Sequence, residues 1–419
     1  MEQDKTLSTP LNRVTVLDAL RGFALLGVIL MHMLQHYSIF SFSEPREPLY
    51  PAWDEAIRWI GQNVISGRFI NIFAFLFGLS FFIQMDRASR KGIDFRLRFI
   101  WRMVILFVIG LVGNCFYSGE IISLYAVFGI IMVLLYKVRS WILMILVSLL
   151  LLGTPRILKI SYDRMTRTEQ PENIRNSDRR PSGPPRQMEK PSFANSVKHN
   201  FTRGLQGKLN YQFGLFSRGY ITLALFILGL VVGRTRYFEE VQISKRKNLA
   251  LFGGAVIAVI LINGVIGLFP SPDIRAMMTP GGGELPISSL IVMTLNDINT
   301  VVFSMALVTG FILLYHIGHL GRYLDVMSPY GRMGLTNYEV QSVIGSLLFS
   351  MWAFGPVFGN WGPTEVFALG IAVYILQLIY SRYWLRYFLY GPLEWFWRSA
   401  TYLKAQPFRR KDSYPSIAG

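Results

Sequence analysis

Long, continuously apolar runs recur from one end of the chain to the other, separated by short polar connections. A helix that crosses the hydrocarbon of a bilayer needs about 20 such residues, and runs that do not alternate favour helices over a membrane β-barrel. The pattern therefore predicts an all-α fold, a polytopic integral membrane helical bundle of about ten transmembrane helices. The predicted spans are residues 16–37, 67–85, 100–117, 121–136, 140–155, 218–233, 249–268, 288–316, 332–353 and 364–381.

The composition agrees with a membrane protein, because 52% of the 419 residues are hydrophobic and only 16% are charged, with a mean hydropathy of +0.37. The formal net charge of +17 is typical of basic loops at one membrane surface. We therefore expect the lipid bilayer, and no nucleic acid, as the partner. The single cysteine, Cys115, excludes an intramolecular disulfide and a cysteine metal cluster.

Polar segments divide the chain into four regions. Residues 1–155 form an N-terminal transmembrane half of about five helices, and residues 218–403 form a C-terminal transmembrane domain. Between them, residues 156–217 are rich in Pro, Arg, Asn and Ser and hold too few apolar residues to build a core. We expect a polar, disordered, extracytoplasmic insert there, and a basic cytoplasmic tail over residues 404–419.

Lysine and arginine concentrate in the short connections on one side of the predicted bundle. Residues 86–102, 137–139 and 234–247 are basic, whereas residues 269–287 and 354–363 contain a single arginine between them. By the positive-inside rule the basic connections are cytoplasmic. With ten spans both termini are then cytoplasmic, and the basic insert is an exception because long loops translocate largely regardless of charge.

The first apolar run, residues 17–36, carries ionisable groups. Asp18 lies one turn before Arg21 and can pair with it. Arg21 and His32 are close to three helical turns apart, so both project from one face with about 16 Å between them along the axis, and His36 follows one turn later. Ionisable groups are costly in hydrocarbon and usually face a protein interior or a water-filled cavity. This face is therefore a candidate site.

Polar groups also interrupt the later apolar runs. Arg68 opens the second span and is a candidate for binding a charged cofactor. The candidate substrate contacts are Asn337, Gln341, Glu339, Asp297 and, from the first span, His36. Hydrogen bonding between helices is the alternative explanation for the amides. For the two carboxylates, a structural and a functional explanation both remain open.

No metal or nucleotide motif accompanies these groups. His32 and His36 have the i, i+4 spacing of a zinc-binding helix, but no third ligand is evident, so no metal site is predicted. The glycine-rich stretch at 281–286 lies in a predicted external loop and indicates a turn.

Five stretches of the chain resemble the bacterial YeiB-type membrane proteins, whose C-terminal half is catalogued as a domain of unknown function. They are LDALRGFALLGVIL at the start, YPAW at 50–53, FAFLFG at 73–78, GRMGLTNYEVQSVIG at 331–345 and GPLEWFWRSATY at 391–402. The last two are the most specific, and the resemblance covers nearly the whole chain except the insert. It implies a multi-pass protein of the bacterial cytoplasmic (inner) membrane.

The family is similar to a wider superfamily of transmembrane acyltransferases, in which the first helix carries an arginine, ten further residues and an essential histidine. Arg21 and His32 fit that pattern. The resemblance implies transfer of an acyl group from cytoplasmic acyl-CoA, such as acetyl-CoA, to an extracytoplasmic cell-envelope acceptor by a membrane-bound O- or N-acyltransferase. His32 is then the general base or acyl carrier, and Arg21, held by Asp18, binds the donor.

A transporter, or a membrane protein that binds lipid or a small molecule without covalent chemistry, is the alternative. It would use the same intramembrane polar residues. Inverted repeats with interrupted helices would favour it, and the sequence shows no convincing repeat.

Overall fold

The computed structural model describes residues 15–39, 46–168, 190–240, 245–273 and 286–410. Within these residues the secondary structure is helical, with no β-strand beyond one isolated bridge between Phe388 and Arg409. The predicted all-α membrane helical bundle is confirmed.

The N-terminal part contains seven α-helices before the first long gap in the described residues. They are α1 (Thr15–Leu34), α2 (Pro51–Ile60), α3 (Arg68–Ser89), α4 (Arg96–Asn114), α5 (Ile122–Leu135), α6 (Ser140–Leu151) and α7 (Thr154–Thr168).

The remaining described residues form shorter connecting helices and four long ones. They are α8 (Phe193–His199), α9 (Leu205–Phe213), α10 (Arg218–Arg234), α11 (Tyr237–Glu240), α12 (Lys245–Ile266), α13 (Ile287–Tyr315), α14 (Gly318–Asp325), α15 (Ser328–Arg332), α16 (Gly334–Phe349), α17 (Gly355–Phe358), α18 (Pro363–Tyr387) and α19 (Pro392–Tyr402).

Each predicted span coincides with a helix. Among the described residues, six helical segments are long and apolar enough to cross a membrane. The count reaches eight when two bent pairs are each taken as one span: α6 with α7, bent by 53°, and the stretch Phe193–Phe213 with α10, bent by 59°. The two remaining predicted spans, residues 121–136 and 332–353, overlap the shorter helices α5, of 14 residues, and α16, of 16 residues. The chain is therefore a multi-pass membrane protein.

Close backbone contact joins the two predicted halves into one bundle. Helix α3 packs along α10, and glycines occupy the crossing on both helices. A Cβ at Gly78 would collide with the carbonyl of Phe226, and a Cβ at Gly229 would collide with the carbonyl of Phe75. Small residues allow helices to approach closely in lipid, where hydrophobic burial between helices contributes little.

Helix α1 is the most buried of the six segments that are long enough to cross a membrane, since 72% of its most apolar stretch is buried. It packs against α3, α15 and α18. Gly331 of α15 lies so near the Asp18 backbone that a Cβ there would overlap the Asp18 carbonyl. On α18, the Tyr374 hydroxyl donates a hydrogen bond to the Gly22 carbonyl at 3.1 Å. The polar side chains of α1 are thereby held among other helices.

The predicted helical position of His36 is wrong. Helix α1 ends at Leu34, and His36, Tyr37 and Ser38 form a short turn with positive φ values of 47°, 52° and 56°. Left-handed backbone costs non-glycine residues free energy and persists where the surroundings stabilise it. Here Tyr37 is buried against the Gly345 position of α16. His36 therefore does not continue the face that carries Arg21 and His32.

The described parts of the predicted disordered insert are helical. Helix α7 covers its start, and α8 and α9, joined by a π-turn over Asn200–Gly204, cover its end. The Asn200 side-chain amide donates to the carbonyls of Asn114 at 3.1 Å and Cys115 at 3.2 Å. These helices pack on the transmembrane helices, so they need no core of their own. The part of the prediction that concerns residues 169–189 lies outside the described residues.

Candidate functional site

A cavity of about 260 Å³ opens between α1, α3, α4, α16 and α19. Its wall combines aromatic and aliphatic side chains with three arginines, Arg21, Arg102 and Arg332. The complete lining is Arg21, Phe73, Leu76, Phe77, Ser80, Phe81, Gln84, Phe99, Arg102, Met103, Leu106, Ile122, Gly331, Arg332, Gly334, Leu335, Glu394 and Trp397. An apolar wall with a few convergent charged groups is typical of a small-molecule site.

Arg21 is held in a fixed orientation at this cavity. Its Nη1 donates to Asp18 Oδ1 at 2.5 Å, which confirms the predicted contact, and its Nη2 donates to Ser80 Oγ at 2.8 Å. Asp18 is buried, so its carboxylate sits in a low-dielectric setting where a charge-assisted hydrogen bond is strong. The guanidinium is thereby positioned along the cavity wall.

Arg102 presents a second guanidinium to the same space. Its Cζ lies 3.7 Å from the centroid of the Trp397 ring, a close cation–π contact. The Trp397 indole N–H in turn donates to the Arg102 carbonyl at 2.8 Å. Arg102 Nε is buried and has no hydrogen-bond partner among the described residues. That donor is available to a bound anion.

Glu394 closes the cavity on the α19 side. Its carboxylate accepts hydrogen bonds from the backbone N–H of Leu335 at 2.8 Å and of Thr336 at 3.0 Å, and from Thr336 Oγ1 at 2.6 Å. It therefore caps the N-terminus of α16, where backbone N–H groups lack helical acceptors. Burial raises the pKa of the Glu394 carboxyl, and these hydrogen bonds act against that shift.

A second cluster, built around His32, lies near one part of the cavity wall. Ile122 and Leu335 belong to the lining there. The neighbouring Ile121 N–H donates to the Tyr338 hydroxyl at 3.2 Å, and the Tyr338 ring lies 6.3 Å from the His32 ring. Tyr338 thus links the residue next to Ile122 with the histidine.

Three tyrosines surround His32. Besides Tyr338, the Tyr117 ring lies 4.9 Å away and the Tyr37 ring 5.2 Å away, measured between ring centroids. Tyr117 and Tyr37 also contact each other edge to face at 5.1 Å. The imidazole therefore sits in an aromatic cage, formed by the left-handed turn after α1, the turn after α4 and the middle of α16.

A buried ion pair lies beside this cage. Glu120 is 0% exposed and accepts hydrogen bonds from Ser123 N at 3.0 Å and Ser123 Oγ at 2.8 Å. Lys208 of α9 donates to Glu120 Oε2 at 3.3 Å and to Ser123 Oγ at 3.0 Å. Burial raises the pKa of the Glu120 carboxyl in the turn between α4 and α5, while the Lys208 ammonium opposes that shift.

Glu339, a predicted candidate, lies near the same cluster. Its carboxylate is so close to Gly113 of α4 that any side chain there would collide with it. Glu339 is 8% exposed, and its Oε1 has no hydrogen-bond partner among the described residues. The His32 end of the bundle thus contains two buried carboxylates and one lysine.

Two predicted candidates lie elsewhere in hydrogen-bonded helix contacts. The Asn337 amide donates to Ser381 Oγ at 2.9 Å, and the Gln341 amide donates to the Tyr330 hydroxyl at 2.5 Å. Tyr330 donates in turn to Gln377 Oε1 of α18 at 3.0 Å. This is the interhelical hydrogen bonding that the sequence left open as the alternative.

The structure does not bring the other three candidates to the cavity. Arg68 starts α3, about 18 Å along the helix from Ser80, and donates to the carbonyls of Gln62 and Ser66. Asp297 forms an ion pair with Arg156. His36 Nε2 lies 3.1 Å from the Trp361 carbonyl.

Sequence reasoning missed the residues that complete the site. The distribution of basic residues assigns Arg102 to a cytoplasmic loop, although it lies inside an apolar run. Lys208 falls in the segment predicted to be disordered. Tyr117 and Tyr338 carry no signal that distinguishes them from other core aromatics. A lone arginine within the first turn of an apolar run is the one available clue.

Fold and site together define a class, the polytopic helical membrane protein with an arginine-lined cavity inside the bundle. Residues 232–404 match the family described as "Protein of unknown function (DUF418)". The chain is 28% identical over 417 residues to the uncharacterized protein YxaH of Bacillus subtilis, covering 95% of this chain and 96% of that protein. It is 26% identical over 418 residues to an uncharacterized 39.9 kDa protein in the amylase 3′ region of Bacillus acidopullulyticus, covering 95% and 96%.

A third relative is a protein of the type that the sequence analysis named. The chain is 41% identical over 83 residues to the uncharacterized protein YeiB of Escherichia coli, covering 20% of this chain and 21% of that protein. These matches are consistent with the predicted resemblance to the YeiB-type membrane proteins and with a DUF418 region over residues 232–404.

Proposed function

We propose that the protein is a transmembrane acyltransferase that transfers an acyl group, such as acetyl, from cytoplasmic acyl-CoA to an extracytoplasmic acceptor in the cell envelope. One observation carries the proposal. Ile122 lines the arginine-lined cavity, and Tyr338 links this part of its wall to His32, since the Tyr338 hydroxyl accepts a hydrogen bond from Ile121 N–H at 3.2 Å and its ring lies 6.3 Å from the His32 ring. A donor held by the arginines could therefore extend its reactive end toward the imidazole.

The donor side fits the chemistry of coenzyme A. Guanidinium groups bind phosphate through planar, charge-assisted hydrogen bonds, and Arg21, Arg102 and Arg332 line the same cavity. The cavity volume of about 260 Å³ is just below the range of about 300–1,000 Å³ for whole-ligand pockets. We infer that it accepts the thioester-bearing arm, while the nucleotide stays outside. The spacing of about 16 Å between Arg21 and His32 suits an extended arm.

The reaction follows from this arrangement. His32 accepts the proton of an acceptor hydroxyl or amine as that group attacks the thioester carbonyl. A carbon–oxygen or carbon–nitrogen bond forms, the carbon–sulfur bond breaks, and the thiolate leaves with the bonding electron pair. The proton then passes from the imidazolium to the thiolate, which regenerates neutral His32. Asp18 acts only through Arg21, by fixing its orientation.

The acceptor side would be the cluster of Glu120, Lys208 and Glu339. Lysine and carboxylate side chains can hydrogen-bond a polar acceptor beside the aromatic cage. In this proposal the protein lies in the bacterial inner membrane with both termini in the cytoplasm, so that the Arg21 end meets the donor compartment.

The test compares acyl-CoA consumption by membranes that contain wild-type protein or single variants, with a cell-envelope extract as acceptor. His32→Ala removes the proposed base, and its loss should reduce turnover by about 10²–10⁴-fold. Arg21→Lys keeps the charge but loses the planar fork, so we expect weaker donor binding and a raised KM. His199→Ala is the matched control, because His199 is exposed on α8, and it should retain wild-type turnover.

Thermal stability of the purified variants separates chemistry from folding. Full turnover by a stably folded His32→Ala protein would refute the assignment of the base. If the wild-type protein neither binds nor consumes acyl-CoA at saturating concentration, a transporter without covalent chemistry becomes the better explanation.

A further inference from the structure

Three arginines from separate helices meet at the end of the bundle away from Arg21. Arg68 and Arg218 are the first residues of α3 and α10, and Arg156 lies in the first turn of α7. Arg68 and Arg218 are partly exposed, whereas Arg156 is 2% exposed. None of them lines the cavity described above.

Hydrogen bonds connect these arginines into one cluster. Arg156 pairs with Asp297 of α13. The Asp297 carbonyl accepts a hydrogen bond from Thr300 Oγ1 at 2.8 Å, and that oxygen accepts one from the Asn71 amide at 3.5 Å. Asn71 Oδ1 then accepts a hydrogen bond from Arg218 Nη2 at 2.9 Å. The chain of contacts therefore runs across α7, α13, α3 and α10.

Arg68 adjoins the same chain. Its backbone carbonyl accepts a hydrogen bond from Ser304 Oγ at 2.9 Å, and its guanidinium lies over the Phe303 ring at 5.5 Å, both on α13. Arg218 Nη2 also reaches the carbonyl of Gly67, the residue before Arg68, at 3.4 Å. Two arginines from adjacent helix starts therefore approach each other.

The positive charge of this cluster is not balanced. Among the described residues, Asp297 is the one carboxylate paired with any of the three guanidinium groups. Arg156 Nη1 and Arg68 Nε are buried donors with no hydrogen-bond partner in the described part of the chain. Leaving a buried charged donor unpaired is costly, so the arrangement calls for an anionic ligand.

Another arginine of α10, Arg234, shows how the protein itself can supply hydrogen-bond acceptors to a guanidinium group. Arg234, at the opposite end of that helix, donates to the carbonyls of Val138 at 2.8 Å and Tyr136 at 2.6 Å and to Ser140 Oγ at 2.9 Å. Its three acceptors all come from the turn between α5 and α6. In the Arg68–Arg156–Arg218 cluster, Arg156 also donates to the carbonyls of Leu215 at 2.7 Å and Phe216 at 3.2 Å, but its Nη1 has no acceptor among the described residues.

A hydroxyl group lies close to the unpaired donor. Gly153 precedes α7 with a φ of +74°, and the position of a Cβ there would be 3.7 Å from Arg156 Nη1 and 3.1 Å from Thr294 Oγ1. A guanidinium nitrogen and a hydroxyl thus both lie next to Gly153.

We propose that Arg68, Arg156 and Arg218 form an anion site that binds a phosphate group, separate from the acyl-CoA cavity. Guanidinium groups match the tetrahedral phosphate oxygens with paired N–H donors, and Thr294 adds a hydroxyl donor. Because the site lies at a helix boundary, the phosphate can belong to a lipid headgroup or be free in solution. The proposal does not depend on acyl transfer.

The experiment measures binding to purified wild-type protein in neutral detergent without any acyl-CoA. One arm titrates inorganic phosphate, and the other titrates dioleoyl phosphatidylglycerol in mixed micelles, each followed by native mass spectrometry and by the thermal unfolding temperature. Arg68→Gln and Arg218→Gln each remove one charge at partly exposed positions. Arg156 is kept, because its removal would leave Asp297 buried and unpaired. Arg322→Gln, at an exposed position of α14, is the matched control.

We expect a charge-assisted contact to be lost in each cluster variant, which raises the Kd about tenfold or more, while Arg322→Gln binds like wild type. Binding of the lipid alone would identify a headgroup as the ligand, and binding of inorganic phosphate would identify the free anion. The proposal is overturned if neither probe binds wild-type protein, or if both cluster variants bind with the wild-type Kd.

Discussion

The pair of Glu120 and Lys208 offers a sharp test of how the segment after residue 190 is packed. We predict that Lys208→Met destabilises the folded protein by about 3 kcal/mol near neutral pH. Glu120 is 0% exposed and the Lys208 side chain 9% exposed, with 3.3 Å between Nζ and Oε2. Removing one partner of a buried pair typically costs about 3–5 kcal/mol, because the other charge stays buried alone. The lower value applies here, since Ser123 still donates two hydrogen bonds to Glu120.

The same variant should lose stability in a pH-dependent way. Burial already raises the folded-state pKa of Glu120, and removing the ammonium raises that pKa further. The ionised carboxyl then opposes folding above the folded-state pKa. The defect of Lys208→Met relative to wild type is therefore fully present at high pH and shrinks as the pH falls through that pKa, where the carboxyl binds a proton.

The assay is reversible unfolding by SDS in mixed micelles at about pH 8 and about pH 5, where the lower pH favours proton binding by the carboxyl. Lys247→Met, an exposed position on α12, is the control and should change stability by less than about 0.5 kcal/mol. In the double variant Glu120→Gln, Lys208→Met, most of the loss should be recovered, because no buried charge remains. Wild-type stability of Lys208→Met at both pH values would show that α9 does not dock against the turn after α4.

Three further predictions concern packing and orientation. Glu394→Gln should lower the free energy of unfolding by about 1–2 kcal/mol in the same assay, because it weakens the cap on α16. An unchanged unfolding midpoint would contradict the cap. Gly331→Ala should lower the free energy of unfolding by about 3 kcal/mol or prevent purification, since its methyl group would collide with the backbone of α1. A wild-type yield and unfolding midpoint would contradict that contact. In a Cys115→Ser background, a membrane-impermeant thiol reagent should label Ser271→Cys in intact cells and Lys91→Cys only after permeabilisation; the reverse order would invert the proposed topology.

The apolar pattern was sufficient to predict the helices, because a membrane forces each spanning segment to satisfy its own backbone hydrogen bonds. The ten predicted spans therefore coincide with helices even where, as in α5 with its 14 residues, the helix is short. The pattern did not predict which helices touch. The contact between α3 and α10 depends on Gly78 and Gly229 being opposite each other, and many other glycines in the chain carry the same local signal.

The insert shows that composition alone does not predict how a polar segment folds against other helices. Residues 190–213 have few apolar side chains, which predicts disorder for an isolated segment. In the folded chain, a few of its polar side chains donate hydrogen bonds to acceptors at the end of α4 and in the turn after it. Asn200 donates to the carbonyls of Asn114 and Cys115, and Lys208 donates to the Glu120 carboxylate. Burial of that kind depends on a surface supplied by other helices, and no local property of the segment encodes it.

The two histidines of the first span show when spacing in a sequence can be converted into distance. Arg21 and His32 both lie within α1, which is helical from Thr15 to Leu34, so their separation of about 16 Å follows from the helical rise alone. His36 lies two residues beyond the helix end, and three positive φ values turn it toward Trp361. The same turn buries Tyr37 against His32. The break that removes His36 from the predicted face therefore also supplies one wall of the aromatic cage, which makes the end of α1 part of the candidate site.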